Sequence, residues 1–189
     1  MVSRFEAAIA LIDAAHAEDP EKEGGRPKEL VYAERMSAWL TKLAPQASES
    51  LRLATRCQHL RRWSIARSAY PDDKVGYLRW RKESAIAHAA LAGDLLAQAG
   101  YEADTVKRVQ SLIKKERIKH DPEAQLLEDT ACLVFLESEF AAFAPKHEEA
   151  KLVDILRKTW PKMSPQGQQA ALGLQLPGHL RSLVEKALA

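Results

Sequence analysis

The chain has 189 residues, of which 46% are hydrophobic and 29% charged, and its formal net charge is +2. This length suits a single domain with its own core, and the composition is that of an ordinary soluble protein. No apolar run approaches the roughly 20 residues that a membrane-spanning helix needs, and acidic residues interrupt the N-terminal apolar run, which indicates a first helix and not a signal peptide. The two cysteines, Cys57 and Cys132, form no CxxC motif and are typical of buried thiols. We therefore expect a cytoplasmic protein without a membrane partner.

Helical periodicity runs through the whole sequence. Apolar residues recur at spacings of three and four with no convincing alternating stretch, which predicts an all-α fold. The predicted helices cover about 3–17, 28–43, 48–69, 76–99, 103–117 and 122–143, followed by two or three short helices. Residues 18–27 form a turn-rich charged segment. Asp121 and Pro122 give the sixth helix an N-cap and a proline in its first turn, and Gly100 ends the fourth.

Basic charge is concentrated between residues 51 and 82. This segment carries nine basic and two acidic side chains, a net +7, which leaves −5 for the rest of the chain. Four aromatic residues lie among the basic ones: Trp63, Tyr70, Tyr77 and Trp80. Arginine binds phosphate through paired N–H groups and aromatic rings stack on bases, so the segment predicts a phosphate-bearing small molecule or RNA as partner. The alternative is a solvated face of two helices with its aromatics in the core. The candidates for the phosphate contact are Arg61, Arg62, Arg79 and Arg81.

Two histidines and one carboxylate, on three predicted helices, face inward. Asp129 shares an apolar stripe with Leu126 and Leu133, and His88 faces the same way as Leu91, while His59 lies where the apolar and basic stripes of its helix meet. A buried carboxylate has to be paired, hydrogen-bonded or metal-bound. Imidazole and carboxylate together suit zinc, iron or manganese, which activate water against a phosphoester. Alternatively, each of the three is a satisfied structural residue. The remaining histidines are expected at the surface or in loops: His16, His120, His147 and His179.

Several strings in this sequence resemble an uncharacterised family. They are Arg56–Trp63 (RCQHLRRW), Gly76–Arg81 (GYLRWR), Tyr32–Met36 (YAERM) and Leu127–Asp129 (LED). The family is catalogued as domain of unknown function 4202, and the resemblance extends over nearly the whole chain. It implies a family but no activity.

The order of His59, His88 and Asp129 also resembles the HD superfamily of metal-dependent phosphohydrolases. That superfamily uses a histidine, then a His-Asp pair, then a distant aspartate. The resemblance implies an HD-like helical bundle at about 28–143, with a C-terminal helical layer at about 146–189, within one domain over 1–189. It also implies a divalent metal (zinc, iron or manganese) bound by His59, His88 and Asp129. Ala89 stands where the paired aspartate is expected, so the bridging ligand is missing.

Two glutamates are candidates for a further metal ligand or a catalytic base, Glu34 and Glu128. An ion pair with an arginine is the alternative role for Glu34. Two functions therefore remain open. The first is a metal-dependent phosphohydrolase acting on a nucleotide or RNA phosphoester. The second is a non-catalytic protein that binds phosphate or nucleic acid and has lost the HD metal centre.

Overall fold

The computed structural model describes residues 2–189, and 73% of the chain is helical, which confirms the predicted all-α fold. Within this range the chain forms ten α-helices and one short antiparallel hairpin. The helices are α1 (Arg4–Ala17), α2 (Lys28–Leu43), α3 (Glu49–Arg56), α4 (Lys74–Gln98), α5 (Ala103–Ile113), α6 (Pro122–Val134), α7 (Phe140–Phe143), α8 (Glu149–Thr159), α9 (Pro165–Leu172) and α10 (Gly178–Leu188). The hairpin strands are β1 (Lys22–Glu23) and β2 (Arg26–Pro27), which lie in the segment predicted to be turn-rich. None of the helices between residues 2 and 189 has the length and apolar character needed to cross a membrane.

Side-chain caps determine where several helices begin. Ser3 and Glu6 form a reciprocal capping box at the start of α1. The Asp121 carboxylate accepts hydrogen bonds from the backbone N–H groups of Glu123 and Ala124, so the predicted start of α6 is confirmed. Ser48, Asp73 and Ser164 cap α3, α4 and α9 in the same way.

The predicted continuous helix over residues 48–69 is wrong beyond Arg56. After α3 the chain turns through the left-handed region at His59 and Arg61, with φ values of 62° and 50°. Two 3₁₀ turns follow, at Arg62–Ser64 and Arg67–Ala69. Tertiary contacts hold this path: Leu60 is buried in the core, and the Trp80 indole N–H of α4 donates to the Ile65 carbonyl at 2.8 Å. The apolar spacing is compatible with a helix here, but these contacts favour the turns.

Helix α6 continues through an irregular turn into α7. Residues Phe135–Glu139 form a π-helical turn, so the predicted helix over 122–143 is continuous but contains a local widening. Such turns rotate the following side chains relative to a regular helix and are frequent at functional sites. Here the turn ends at Glu139.

The core lies where α2 packs between α3 and α6, with α4 against α5 and α1 against α2, α3 and α4. Its largest fully buried side chains include Ile12, Met36, Leu51, Leu96, Leu127 and Phe140. In the C-terminal part, α8 packs against α10 and α9 against α6. The side chains that meet between α1, α2, α4 and the turns after α3 are polar, and these form the candidate site.

Candidate functional site

The segment after α3 points the His59 imidazole back toward α2. The ring stacks on Tyr32 with 4.2 Å between ring centroids and only 10° between planes. Its Nδ1 lies 3.1 Å from Glu29 Oε2, and its Nε2 lies 2.6 Å from Arg62 Nη1. A guanidinium has only N–H donors, so Nε2 accepts this hydrogen bond and Nδ1–H donates to the Glu29 carboxylate. The two partners therefore select one neutral tautomer of His59.

The charge states of this pair follow from its burial. Desolvation holds the pKa of His59 well below its usual value, and the nearby charges of Arg62 and Lys115 lower it further. Burial also raises the pKa of Glu29 to about 7, although Arg62 opposes this change. A neutral imidazole beside a carboxyl group that titrates near neutrality is an arrangement found at acid–base sites.

Two more histidines join this cluster. The His88 ring of α4 lies 6.2 Å from the His59 ring, and its buried Nε2 has no hydrogen-bond partner among residues 2–189. Burial lowers the pKa of His88 to about 3, with smaller contributions from His59 and Arg62. His16 of α1 is fully buried: its Nε2–H donates to the Arg56 carbonyl at 2.9 Å, and its Nδ1 has no partner in the described chain.

The expectation that His16 lies at the surface or in a loop is therefore wrong. His16 follows Ile12 by four residues, so the two share the buried face of α1. This spacing was a usable sequence signal. The apolar residues around His16 are mostly alanines, which mark a buried face weakly.

Glu29 and Glu139 are the acidic residues of the cluster that sequence reasoning missed. Burial raises the pKa of Glu139, and Glu29 raises it further, while Arg62 and Lys28 lower it. The π-helical turn that precedes Glu139 is invisible to apolar spacing. Glu29 lies in the first turn of α2, where an acidic residue is ordinarily a solvated partner of the helix dipole. Neither residue therefore carried a signal of burial.

Three cations lower the pKa of His59 through their charges, and we call them the cation rim: Arg62, Arg81 and Lys115. The Arg62 guanidinium stacks over the Trp80 ring, 4.7 Å from its centroid, while donating to His59. Lys115 follows α5 in a left-handed turn, with φ of 54°, and forms an ion pair with Glu128. Lys115 thus has an anionic partner, whereas neither Arg62 nor Arg81 forms an ion pair within residues 2–189.

The four predicted phosphate-binding arginines separate into two pairs. Arg62 and Arg81 belong to the cation rim. Arg61 instead pairs with Glu18 at 2.6 Å, and Arg79 pairs with Glu83 at 2.8 Å, both at the surface. The structure thus brings two of the four to the histidines, and sequence reasoning missed Lys115.

Asp129 is fully buried, as its apolar stripe predicted, but it is engaged in holding α9 on α6. Its Oδ1 accepts hydrogen bonds from Gln125 Nε2 at 2.9 Å and from the Ser164 backbone N–H at 2.8 Å. Its Oδ2 accepts from the Ser164 hydroxyl at 2.5 Å. Gly167 allows this close approach, because a Cβ at that position would lie 2.8 Å from the Asp129 Cγ.

The two predicted catalytic glutamates also have partners. Glu34 forms a bidentate ion pair with Arg26 of the hairpin, at 2.7 and 2.9 Å, which is the alternative role expected for it. Glu128 contacts the cation rim by its ion pair with Lys115. Burial acts to raise the pKa of Glu128, but Lys115 and Arg81 outweigh it, so the pKa is lowered.

The donor atoms present do not fit a metal site built on His59, His88 and Asp129. Both ring nitrogens of His59 and both oxygens of Asp129 already have partners, so only His88 contributes a free donor. Throughout residues 2–189, no three His, Cys, Asp or Glu side chains are grouped so that they could hold one ion. The site instead combines neutral imidazoles with the cation rim. Cations of this kind favour an anionic ligand.

Comparisons with known proteins identify a family for this chain but no function. Residues 6–184 match a family described as "Domain of unknown function (DUF4202)". No curated protein and no solved structure matches the sequence.

Proposed function

The chain belongs to the family described as Domain of unknown function (DUF4202), and we propose that it binds a phosphate-bearing molecule at the cation rim. The observation that carries this proposal is the state of Arg62. Within the described chain no carboxylate forms an ion pair with this guanidinium, whose one hydrogen-bonded acceptor is the neutral His59 ring. The other N–H groups of the Arg62 guanidinium are therefore available to an anionic ligand.

Phosphate is the anion that this geometry suits. Charge-assisted hydrogen bonds from a guanidinium to a phosphate are roughly twice as strong as bonds to a neutral acceptor. A phosphate arriving at the cation rim therefore competes effectively with His59 for Arg62. Arg81 is exposed and has no carboxylate partner between residues 2 and 189, so it is available to the same ligand. The His59 side chain retains 22% exposure, which leaves a path for solvent and ligand.

The test uses the sequence neighbours of these arginines as matched controls. We expect Arg62→Gln and Arg81→Gln each to weaken the binding of ribose 5-phosphate at least about tenfold, because each removes charge-assisted hydrogen bonds to the ligand. Arg61→Gln and Arg79→Gln remove surface arginines that already have carboxylate partners, and we expect changes of less than about twofold. Isothermal titration calorimetry measures the affinities. Equal effects of all four substitutions, or no binding by the wild-type protein, would overturn the proposal.

A metal-dependent phosphohydrolase acting on a nucleotide or RNA is the second candidate. The observation that favours it is the unpartnered Nε2 of His88, whose ring centroid lies 6.2 Å from that of His59. The HD-like order of residues supports it further, whereas Ala89 and the engaged donors of Asp129 weigh against it. Stoichiometric metal in the purified protein, lost in His88→Gln but kept in the surface variant His179→Gln, would support this candidate. Phosphate binding that is unchanged by a chelator would support the first.

A further inference from the structure

A series of neighbouring side chains, Arg62 and three residues of α4, leads from the cation rim to the protein surface. Arg62 Cζ lies 4.7 Å from the Trp80 ring centroid, and the Trp80 ring lies 6.0 Å from the Tyr77 ring. Arg81 Cζ lies 5.8 Å from the centroid of the same Tyr77 ring. Residues three and four apart on a helix are neighbours, which explains why Tyr77, Trp80 and Arg81 lie together.

Tyr77 differs from the other aromatic residues of the basic segment in its exposure. Trp80 is buried and is held in place by the hydrogen bond of its indole N–H to the Ile65 carbonyl. Trp63 and Tyr70 are half-buried, and the Tyr70 hydroxyl is bonded to Glu83. Tyr77 remains 43% exposed, so part of its ring is accessible to a ligand.

We infer that the phosphate-bearing molecule is a nucleotide whose base stacks on Tyr77 while its phosphate contacts Arg62 and Arg81. This inference rests on the proposed function and specifies its ligand. A nucleotide joins a phosphate to an aromatic base through one sugar. The site has a matching arrangement, with cations at one end of the series Arg62–Trp80–Tyr77 and an exposed ring at the other. Arg81 belongs to both ends, because it is part of the cation rim and lies over the Tyr77 ring. A sugar phosphate contacts only the cations and has no ring to place on the exposed part of Tyr77.

The experiment compares ligands that share the phosphate and differ in the base. We expect adenosine 5′-monophosphate to bind the wild-type protein roughly 5- to 160-fold more tightly than ribose 5-phosphate, the range that one base–aromatic stack provides. Tyr77→Leu should abolish this difference and Tyr77→Trp should preserve it, whereas neither should change the affinity for ribose 5-phosphate by more than about twofold. Leu78→Ala, at an exposed neighbouring position of α4, is the matched control and should behave as the wild type.

The outcomes separate this inference from the proposed function. Equal affinities for the two ligands, or a preference for the nucleotide that survives Tyr77→Leu, would overturn the inference alone. Failure of both ligands to bind would overturn the proposed function together with it. A short RNA oligonucleotide identifies the source of the nucleotide: tighter binding than the monophosphate, with the same dependence on Tyr77, indicates an RNA strand, and equal binding indicates a free nucleotide.

Discussion

Replacing Asp129 with asparagine distinguishes a residue that joins two helices from a residue that binds a metal. The carboxylate is fully buried and accepts three hydrogen bonds, at 2.9, 2.8 and 2.5 Å, two of them from Ser164 at the start of α9. Hydrogen bonds to a charged group contribute about 1.5–3 kcal/mol each, and their contributions overlap when they share one acceptor group. Asparagine keeps the shape, loses the charge and presents an N–H₂ group where an acceptor is needed. We therefore expect Asp129→Asn to lower the free energy of unfolding by about 2–4 kcal/mol.

Urea unfolding followed by circular dichroism, with and without a chelator, measures this loss. Because the partners of Asp129 are protein groups, the loss should be the same in both conditions. A double-mutant cycle with Ser164→Ala should give a coupling free energy of about 1 kcal/mol or more, since the two side chains are in direct contact. The control is Asp154→Asn in α8, which removes only an exposed pair with Lys158 and should change stability by less than about 0.5 kcal/mol.

One result would refute this reasoning directly. If Asp129→Asn unfolds like the wild type in the presence of chelator, but loses a stabilisation that added metal gives to the wild type, Asp129 acts as a ligand. A coupling free energy near zero with Ser164→Ala would also contradict the reasoning, because the hydrogen bond from the Ser164 hydroxyl would then contribute nothing.

Two further predictions concern stability. Gly76→Ala should destabilise the protein by about 2 kcal/mol or more in urea unfolding, because its Cβ would lie 2.2 Å from the Pro71 carbonyl oxygen, whereas Gly178→Ala meets no atom within 4 Å and should cost less than about 1 kcal/mol. His88 has a pKa of about 3 in the folded protein against 6.5 as its ordinary value, so the stability due to its neutral form is complete above pH 6.5 and is lost as the pH falls toward 3. The unfolding free energy of His88→Gln should therefore fall less steeply than that of the wild type across this range, and parallel profiles would contradict the assignment.

Helical periodicity predicted most of the fold because most of the chain is regular. The starts of α2, α5 and α6 agree with the predicted ones within a residue, since apolar spacing and capping residues act locally. The prediction failed where the backbone leaves the regular helix without a glycine or proline to mark the change. The turn at His59 and the π-helical turn at Phe135–Glu139 are both of this kind. Each has a hydrogen bond to a distant residue: Trp80 donates to Ile65 after the first, and Trp39 donates to Glu137 within the second.

The same distinction applies to the candidate site. Burial of His88 and Asp129 followed from the helical stripe on which each lies, and the structure confirms it. Their partners did not follow, because a stripe shows that a side chain points inward but not which helix it meets. Asp129 meets α9, which is distant in the sequence, while His88 meets the turn that carries His59. To predict that three inward-facing groups meet in one pocket, one has to know which helices pack together. The spacing of apolar residues does not contain this information.

The backbone itself supports a functional role for this cluster. Among residues 2–189, four non-glycine residues have positive φ: His59, Arg61, Lys115 and Arg117. Such conformations are sterically unfavourable for residues with a Cβ, by roughly 1–3 kcal/mol each, and glycine would relieve them. A turn whose only task is to connect two helices gains nothing from a histidine or a lysine at these positions. His59 and Lys115, however, extend from two separate turns toward the same group of buried side chains, where glycine would contribute neither an imidazole nor a charge. The backbone at His59 and Lys115 therefore supports the proposal that this cluster binds a ligand, whereas Arg61, with the same backbone conformation, pairs with Glu18 at the surface.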